Sequence, residues 1–218
     1  MALQGRLLLS KQTRNRKGCA GFMLNGRIIE FGGYAWRVLD VQNDRVLIVT
    51  EDIIQISKYH EESDATWRDC SLRKHLNSDL YNSFGEDDRA RIIKAVNKNA
   101  NNPWFFVNGG GDTEDRIFLL SLEDVCRYFG DSSIKLQNKG DQDMIDDSNN
   151  SNRIAQYNSE PCWWWLRSVG HGTDDAARVA RSGRIDVRGD YINDGIGGGV
   201  RPALWLSVNE NASMGGTA

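Results

Sequence analysis

The stretch from Val169 to Val200 lies between two segments rich in large apolar residues, and this contrast most constrains the fold. The segment before it reads CWWWLRS (162–168), and the segment that closes it reads VRPALWL (200–206). Tryptophan and leucine at this density predict buried positions, because burying their large side chains strongly favours folding. The sequence therefore predicts a polar segment held between two rigid anchors.

The same stretch is restricted in residue type. Residues 169–200 contain no Lys, Glu, Gln, Met or Trp, and every charged residue is Arg or Asp. None of the five absent types can be reached from an Asn codon (AAC or AAT) by changing adenines alone, whereas Arg, Asp, Ser, Gly and Tyr can. Given the composition of the rest of the chain, chance produces such an absence about once in a thousand windows, before allowance for the choice of window. The pattern indicates a segment diversified by adenine mutagenesis.

Length and charge restrict the domain organisation and the partners. A chain of 218 residues predicts one compact domain, or one domain with an appendage. The net charge of −3 and the pI near 5.7 argue against nucleic acid, since a phosphate-binding face needs an excess of Lys and Arg. The apolar run at 7–9 is too short for a membrane span or a signal peptide, so we expect no transmembrane segment.

No metal or cofactor site is predicted. Four cysteines are widely separated, with no CxxC pair: Cys19, Cys70, Cys126 and Cys162. This spacing favours free thiols and leaves one disulfide open. The three histidines show no zinc-ligand spacing with each other or with a cysteine. The acidic run from Asp141 to Asp147 lacks the glycine and the closing Glu of a calcium-binding EF-hand.

Local patterns predict short strands first and helices later. Residues 1–27 are basic and polar, which predicts an irregular lead-in with at most one early strand, and 28–50 predicts a meander of short β-strands. Helices are predicted over 71–81, 86–96 and 122–129, the last with Ser121 as N-cap. A buried strand is predicted over 117–120, and 131–160 is predicted to be a long, mobile polar loop with little core.

The polar stretch contains a short internal repeat. Two similar units, 178–183 and 184–189, each begin with Arg and an apolar residue and end in Gly, which predicts short strands ending in turns. In the second unit, Ile185 and Val187 alternate with polar residues, so one face packs and the other meets solvent or a ligand. Taken alone, this pattern favours a solvated hairpin over a binding surface.

Over almost its whole length the chain resembles a bacterial and phage family of domains of unknown function. Five blocks carry the resemblance in order: FGGYAWRVL (31–39), Trp67 followed by SLRKHLN (71–77), DRIFLLS (115–121), WWLRS (164–168) and GVRPALW (199–205). One departure is Val169, where the family usually has Pro after Arg-Ser.

The resemblance implies a fold and a mechanism. The family is similar to a branch of the C-type-lectin-like fold shared with formylglycine-generating enzymes. That implies an α+β domain over 28–218 with short antiparallel strands, two or three helices, much loop, and a variable region of about 169–199. Many members are variable proteins of diversity-generating retroelements. In these systems a reverse transcriptase copies a template repeat with errors at adenines, and the copy replaces the 3′ end of the target gene.

The resemblance also assigns residues within the stretch. The diversified, ligand-contacting positions would be His171, Thr173, Asp174, Asp175, Arg178, Ala180, Arg181, Ser182, Arg184, Asp186, Arg188, Asp190, Tyr191, Asn193 and Asp194. Five positions are left open between the variable set and the scaffold: Val169, Gly172, Val187, Gly195 and Ile196. The scaffold would be Ala176, Ala177, Val179, Gly183, Ile185, Gly189, Ile192 and Gly199.

Residues around the stretch are predicted to anchor it. The proposed scaffold anchors are Trp164, Trp165, Arg167, Arg201 and Trp205. The run of three tryptophans from Trp163 also suits sugar stacking, but core positions for at least two of them are favoured. The two arginines are predicted to donate hydrogen bonds to loop carbonyls rather than to a ligand.

A binding function is favoured over catalysis. Formylglycine-generating enzymes need paired cysteines near the end of the fold, whereas only Cys162 lies in that half here. No hydrolase elbow or metalloprotease helix is present, and the glycine-rich turn 109–112 lacks the Lys of a P-loop. We expect a non-catalytic protein without cofactor or metal that recognises a protein or glycan on a host or neighbouring cell.

The alternatives are a fixed lectin-like module, a structural cell-wall or virion module, and, least favoured, a formylglycine-generating type of enzyme. A phage virion or a bacterial surface is the favoured location. The sequence does not specify the ligand or the oligomeric state.

Overall fold

The chain is built mainly of short β-strands. The structure is a computed structural model that describes residues 26–139 and 142–208. Strands make up 35% of the described residues and helices only 19%, so the expected α+β class is wrong and the protein is predominantly β. The reason is that most of the apolar residues in the described part pair in ladders, and the helices stay short. Most of the predicted lead-in 1–27, and Cys19, lie outside the described residues.

One sheet of five strands forms a first layer of the core. Its strands are β1 (Ile28–Phe31), β2 (Tyr34–Val41), β3 (Arg45–Thr50), β5 (Ile92–Ile93) and β15 (Ala203–Ser207). The predicted meander over 28–50 is confirmed, because β1, β2 and β3 pair antiparallel in sequence order. The sheet continues from β3 to β15 and then to β5, so the segment after the variable stretch is an interior strand.

A second sheet of six strands carries the variable stretch. Its strands are β4 (Gln55–Ser57), β8 (Met144–Ile145), β11 (Trp164–Val169), β12 (Asp175–Val179), β13 (Ile185–Tyr191) and β14 (Gly198–Val200). Their spatial order is β4-β14-β11-β12-β13-β8, and β11 pairs with β14 in parallel. Two small antiparallel sheets complete the described strands: β6 (Ala95–Asn97) with β7 (Thr113–Asp115), and β9 (Ala155–Tyr157) with β10 (Glu160–Cys162).

The helices are short. They are α1 (Ser71–His75), a π-helical turn (Leu76–Leu80), α2 (Tyr81–Ser83), α3 (Glu86–Arg91), α4 (Leu122–Tyr128), α5 (Ser133–Gln137) and α6 (Asn150–Arg153). The helix predicted from Ser121 is confirmed, and its cap is a reciprocal capping box with Asp124. The helix predicted over 86–96 ends at Arg91, because Ile92 and Ile93 pair with β15 instead. No described helix is long and apolar enough to cross a membrane.

Two other predictions were wrong. Residues 117–120 are buried but form no ladder, and Phe118 makes only an isolated bridge to Ala203. The predicted loop over 131–160 contains α5, α6, β8, β9 and the first residue of β10, and Leu136 and Ile145 are buried in the main core. Its polar residues bond to a fully buried Arg153, whose guanidinium contacts Ser132, Asp147 and Asn150. A polar composition therefore concealed a packed segment.

Candidate functional site

The β12–β13 hairpin lies inside the second sheet, between β11 and β8. Its turn is closed by two backbone bonds, from Ala180 N–H to the Arg184 carbonyl and from Gly183 N–H to the Ala180 carbonyl, each 2.8 Å long. Gly183 has a φ of +83°, and a Cβ there would overlap the Asn150 carbonyl oxygen. The turn therefore requires glycine and packs against α6.

The residues of the hairpin divide by exposure. Fourteen of the fifteen positions predicted to vary are partly or fully exposed, and the exception, Asp186, is 3% exposed. Seven of the eight predicted scaffold positions are buried, and the eighth, Gly189, is partly exposed. Of the five open positions, Val169 and Val187 are buried in the core, whereas Gly195 and Ile196 are exposed. The exposed set forms one surface about the hairpin and its flanking turns.

Three of the positions predicted to vary form one charged cluster. Arg178 Nε donates to Asp186 Oδ2 at 3.1 Å, and its Nη1 pairs with Asp190. The guanidinium also lies 4.9 Å from the centre of the Trp163 ring. Trp163 in turn packs edge-on against Trp165, with ring centres 4.6 Å apart. The partly exposed guanidinium of Arg178 therefore makes a cation–π contact with Trp163, which lies outside the stretch predicted to vary.

Asp186 also holds the backbone of the hairpin. Its Oδ1 accepts a hydrogen bond from Gly189 N–H at 3.0 Å. The β12–β13 register shifts at this point, between Ala176 and Arg178. Ile185 and Val187 are buried on one face of β13, as the alternation predicted, and Asp186 lies on the other face beside its cross-strand partner Arg178, where it is 3% exposed. These contacts make Asp186 a structural position within the stretch.

Away from the Arg178 cluster, the stretch contacts two neighbouring segments, one at Phe105 and one at Asp143. The His171 ring meets the Phe105 ring edge-on, with centres 5.0 Å apart. Arg188 Nη1 lies 3.6 Å from Asp143 Oδ2. In the same stretch, burial raises the pKa of the Asp175 carboxyl, and the neighbouring Asp174 adds to the effect.

One buried amide joins the hairpin to the 102–107 loop. The Asn102 side chain is buried, and its Nδ2 donates to the carbonyls of Val169 (2.9 Å), Gly170 (3.1 Å) and Val187 (3.0 Å). Its Oδ1 accepts from Trp104 N–H at 3.0 Å. Sequence reasoning missed this residue, although the run NPWFF (102–106) was a signal because it combines a turn dipeptide with three aromatic residues.

The predicted anchors lie around the hairpin in different ways. Trp164 and Trp165 are fully buried, whereas Trp205 is partly buried beneath the Arg45 guanidinium. Arg167 Nη1 donates to the Leu119 carbonyl at 2.8 Å and also pairs with Asp124.

Arg201 is fully buried between two aromatic rings. Its guanidinium lies 5.2 Å from the Phe129 ring centre and 5.0 Å from the Trp164 ring centre, and its Nε donates to the Thr50 carbonyl at 2.8 Å. Burial lowers the Arg201 pKa to about 10, which leaves the side chain charged at neutral pH. It contacts the core and not the hairpin surface.

The described cysteines are free thiols: Cys70, Cys126 and Cys162. Burial raises the pKa of Cys70 and of Cys126 to about 12, so both are protonated and poorly nucleophilic at neutral pH. Within residues 26–139 and 142–208, no group of three or more His, Cys, Asp or Glu side chains is placed to hold a metal ion.

Comparison with known proteins places the chain in a family without an assigned function. The model of the family described as Domain of unknown function (DUF6273) matches residues 43–208, more than half of the chain. The chain belongs to this family. No curated protein and no solved structure matches it.

Proposed function

We propose that the chain is a non-catalytic ligand-binding protein whose surface over 171–194 is diversified by a retroelement. The observation that carries the proposal is the match between the division of this segment that the resemblance implies and the burial of its residues. Positions assigned to variation from codon and family considerations are, with the exception of Asp186, at least partly exposed. Positions assigned to the scaffold are almost all buried.

A surface can tolerate wholesale substitution only if its backbone is held by other groups. The hairpin backbone is held in this way. Asn102, which lies outside the stretch, donates to the Val187 carbonyl of the hairpin and to the carbonyls of Val169 and Gly170 at the end of β11. At the start of β11, Gly199 N–H donates to the Trp163 carbonyl at 3.0 Å. Gly183 packs on the backbone of Asn150. With the exception of Asp186, replacing the exposed side chains would therefore leave the main supports of the hairpin in place.

The chemistry of the surface suits a polar protein or glycan ligand on a host or neighbouring cell. Arg and Tyr side chains combine large contact area with hydrogen bonding, and both are common at binding hot spots. Tyr191 is exposed, and Arg181 and Arg188 extend from the hairpin. Such recognition fits a protein of a phage virion or a bacterial surface.

A randomised library tests the proposal. The fourteen exposed positions would receive codons of the NNC or NNT type, with Asp186 held, and the displayed domains would be selected for binding to a purified lysozyme. A control library would randomise exposed positions away from the hairpin: Ile28, Glu30, Lys94, Val96 and Glu114.

We expect the hairpin library to remain mostly folded and to yield at least about tenfold more binders than the control. Equal yields, or a hairpin library that mostly fails to fold, would contradict the proposal. The hairpin would then be a fixed surface of a module with one dedicated ligand or a structural role.

A further inference from the structure

Phe106 has an unusual position for an aromatic residue. Its side chain is 86% exposed, so the ring gains almost nothing from burial. Its φ is +58°, in the left-handed region, which is strained for a residue with a side chain. The other described non-glycine residues with positive φ, Asn158 and Ser159, lie in the turn between β9 and β10. Strain combined with exposure at one aromatic residue points to a function.

The loop that presents Phe106 is fixed by hydrogen bonds. Phe106 N–H donates to the Asn102 carbonyl, and Asn102 N–H donates to the Val107 carbonyl, both at 2.9 Å. Trp104 is buried, and its Nε1 donates to the Leu136 carbonyl at 2.7 Å. The ring is therefore presented on a preformed loop, so little conformational entropy is lost when a ligand covers it.

This loop is in direct contact with the hairpin and with the turn before it. Asn102 bonds to the hairpin backbone, and Phe105 packs against the ring of His171, a position predicted to vary. The rim is polar: Lys139 Nζ lies 4.2 Å from the Phe105 ring centre and 2.9 Å from Asp143. A partner seated on the variable residues would therefore reach Phe106.

We infer that Phe106 is a constant aromatic anchor of this surface and that it inserts into an apolar pocket of a protein ligand. The inference rests on the proposed function and names the partner class. A ring that projects from the surface with 86% of its area exposed suits a concave apolar site, which proteins offer. Phe106 supplies affinity common to many ligands, and the variable residues supply specificity.

Independent lysozyme-binding clones from the hairpin library test this role. Each clone would be compared with its Phe106→Asn form, because Asn tolerates positive φ and keeps the loop conformation while removing the ring. Phe106→Tyr retains the ring, and Ile134→Ala removes another strongly exposed apolar side chain, on α5. Unfolding curves of all forms would show that the fold is intact.

We expect Phe106→Asn to weaken binding about tenfold or more in most clones, with unchanged stability. Ile134→Ala should stay within about threefold of the parent, and Phe106→Tyr should weaken binding less than Phe106→Asn because it keeps the ring. If the clones bind through the hairpin and Phe106→Asn does not change their affinity, Phe106 is not an anchor. That result would not contradict the proposed function. A library without lysozyme binders would overturn both.

Discussion

Arg178 and Asp186 are direct cross-strand partners in the β12–β13 hairpin, and their side chains form an ion pair 3.1 Å long. Both are positions predicted to vary. Asp186 is also the residue that binds Gly189 N–H at the bulge. Under the proposed diversification, changes at these two positions would be coupled, and at Asp186 they would be restricted by its bond to the backbone.

Replacing Asp186 by Ala should lower the free energy of unfolding by about 2 kcal/mol, because Gly189 N–H and one side of Arg178 lose their partner. Asp186→Asn should lose less, since it retains an acceptor. Asp194→Ala, at an exposed position, is the matched control and should change stability by under about 0.5 kcal/mol. Denaturant unfolding measures all three, and equal values for the two Ala variants would refute the structural role of Asp186.

Two glycines of the same stretch should respond in opposite ways to Ala. At Gly183 the added Cβ meets the Asn150 carbonyl and φ is positive, so we expect a loss of about 2 kcal/mol or more, or failure to fold. At Gly195 no atom lies within 4 Å of the added Cβ, so stability should be unchanged or slightly raised. Thermal unfolding distinguishes the two, and similar melting temperatures would contradict the assignment of Gly183 to the scaffold.

Asn102→Ala should destabilise the protein by about 3 kcal/mol, because three buried carbonyls lose the hydrogen bonds that they accept from its Nδ2. Hydrogen exchange of the amides over 169–188 should accelerate more than exchange in β1–β3. Asn138→Ala removes a single exposed bond to the Ile134 carbonyl and should have little effect. Unchanged exchange in the hairpin of Asn102→Ala would show that the loop does not hold it.

Stability should depend on pH through two carboxyls with opposite signs. The hydrogen bond from Arg37 lowers the pKa of Glu51 below its ordinary value of 4.5. The ionised Glu51 contributes its full stability to the fold above pH 4.5, its ordinary pKa. That contribution is lost as the pH falls through the lower pKa of the folded state. Glu51→Gln should therefore be less stable than the parent at pH 7 and equal to it in acid.

Burial raises the pKa of Asp175 above its ordinary value of 3.8, so the folded state favours the protonated carboxyl. The stability that this protonated form contributes is lost as the pH rises through the folded pKa. Asp175→Asn should consequently gain stability relative to the parent on going from acid to pH 7. Urea unfolding between pH 3 and 7 measures both differences. A Glu51→Gln difference that persists unchanged in acid would contradict the account.

The sequence predicted local patterns better than tertiary ones. The β1–β3 meander and the capped helix α4 depend on neighbouring residues, such as Ser121 and Asp124, and both were predicted. The helix over 86–96 failed because Ile92 and Ile93 pair with β15, more than a hundred residues away. Long-range pairing of this kind overrides local propensity and leaves no mark in the segment itself.

The candidate site shows the same limit. Alternation predicted the polar face for Asp186 but not its burial, which comes from its contacts with Arg178 and Gly189 N–H, and these depend on how β12 pairs with β13. The roles of Asn102 and Phe106 depend on contacts with carbonyls and rings that only the fold brings near. Composition and the restriction in residue type marked out the stretch predicted to vary, but not the loop that supports it.

The most direct test of diversification is to read the codons from His171 to Asp194 and to sequence that end of the gene across a population. The account predicts pyrimidine-ended codons at the exposed positions, with Arg as CGC or CGT and Asp as GAC or GAT. It also predicts variation concentrated there, limited at Asp186 to short side chains that accept hydrogen bonds, and absent at Trp165 and Arg201. Arg codons such as AGA or CGG, or variation spread evenly along the gene, would contradict it.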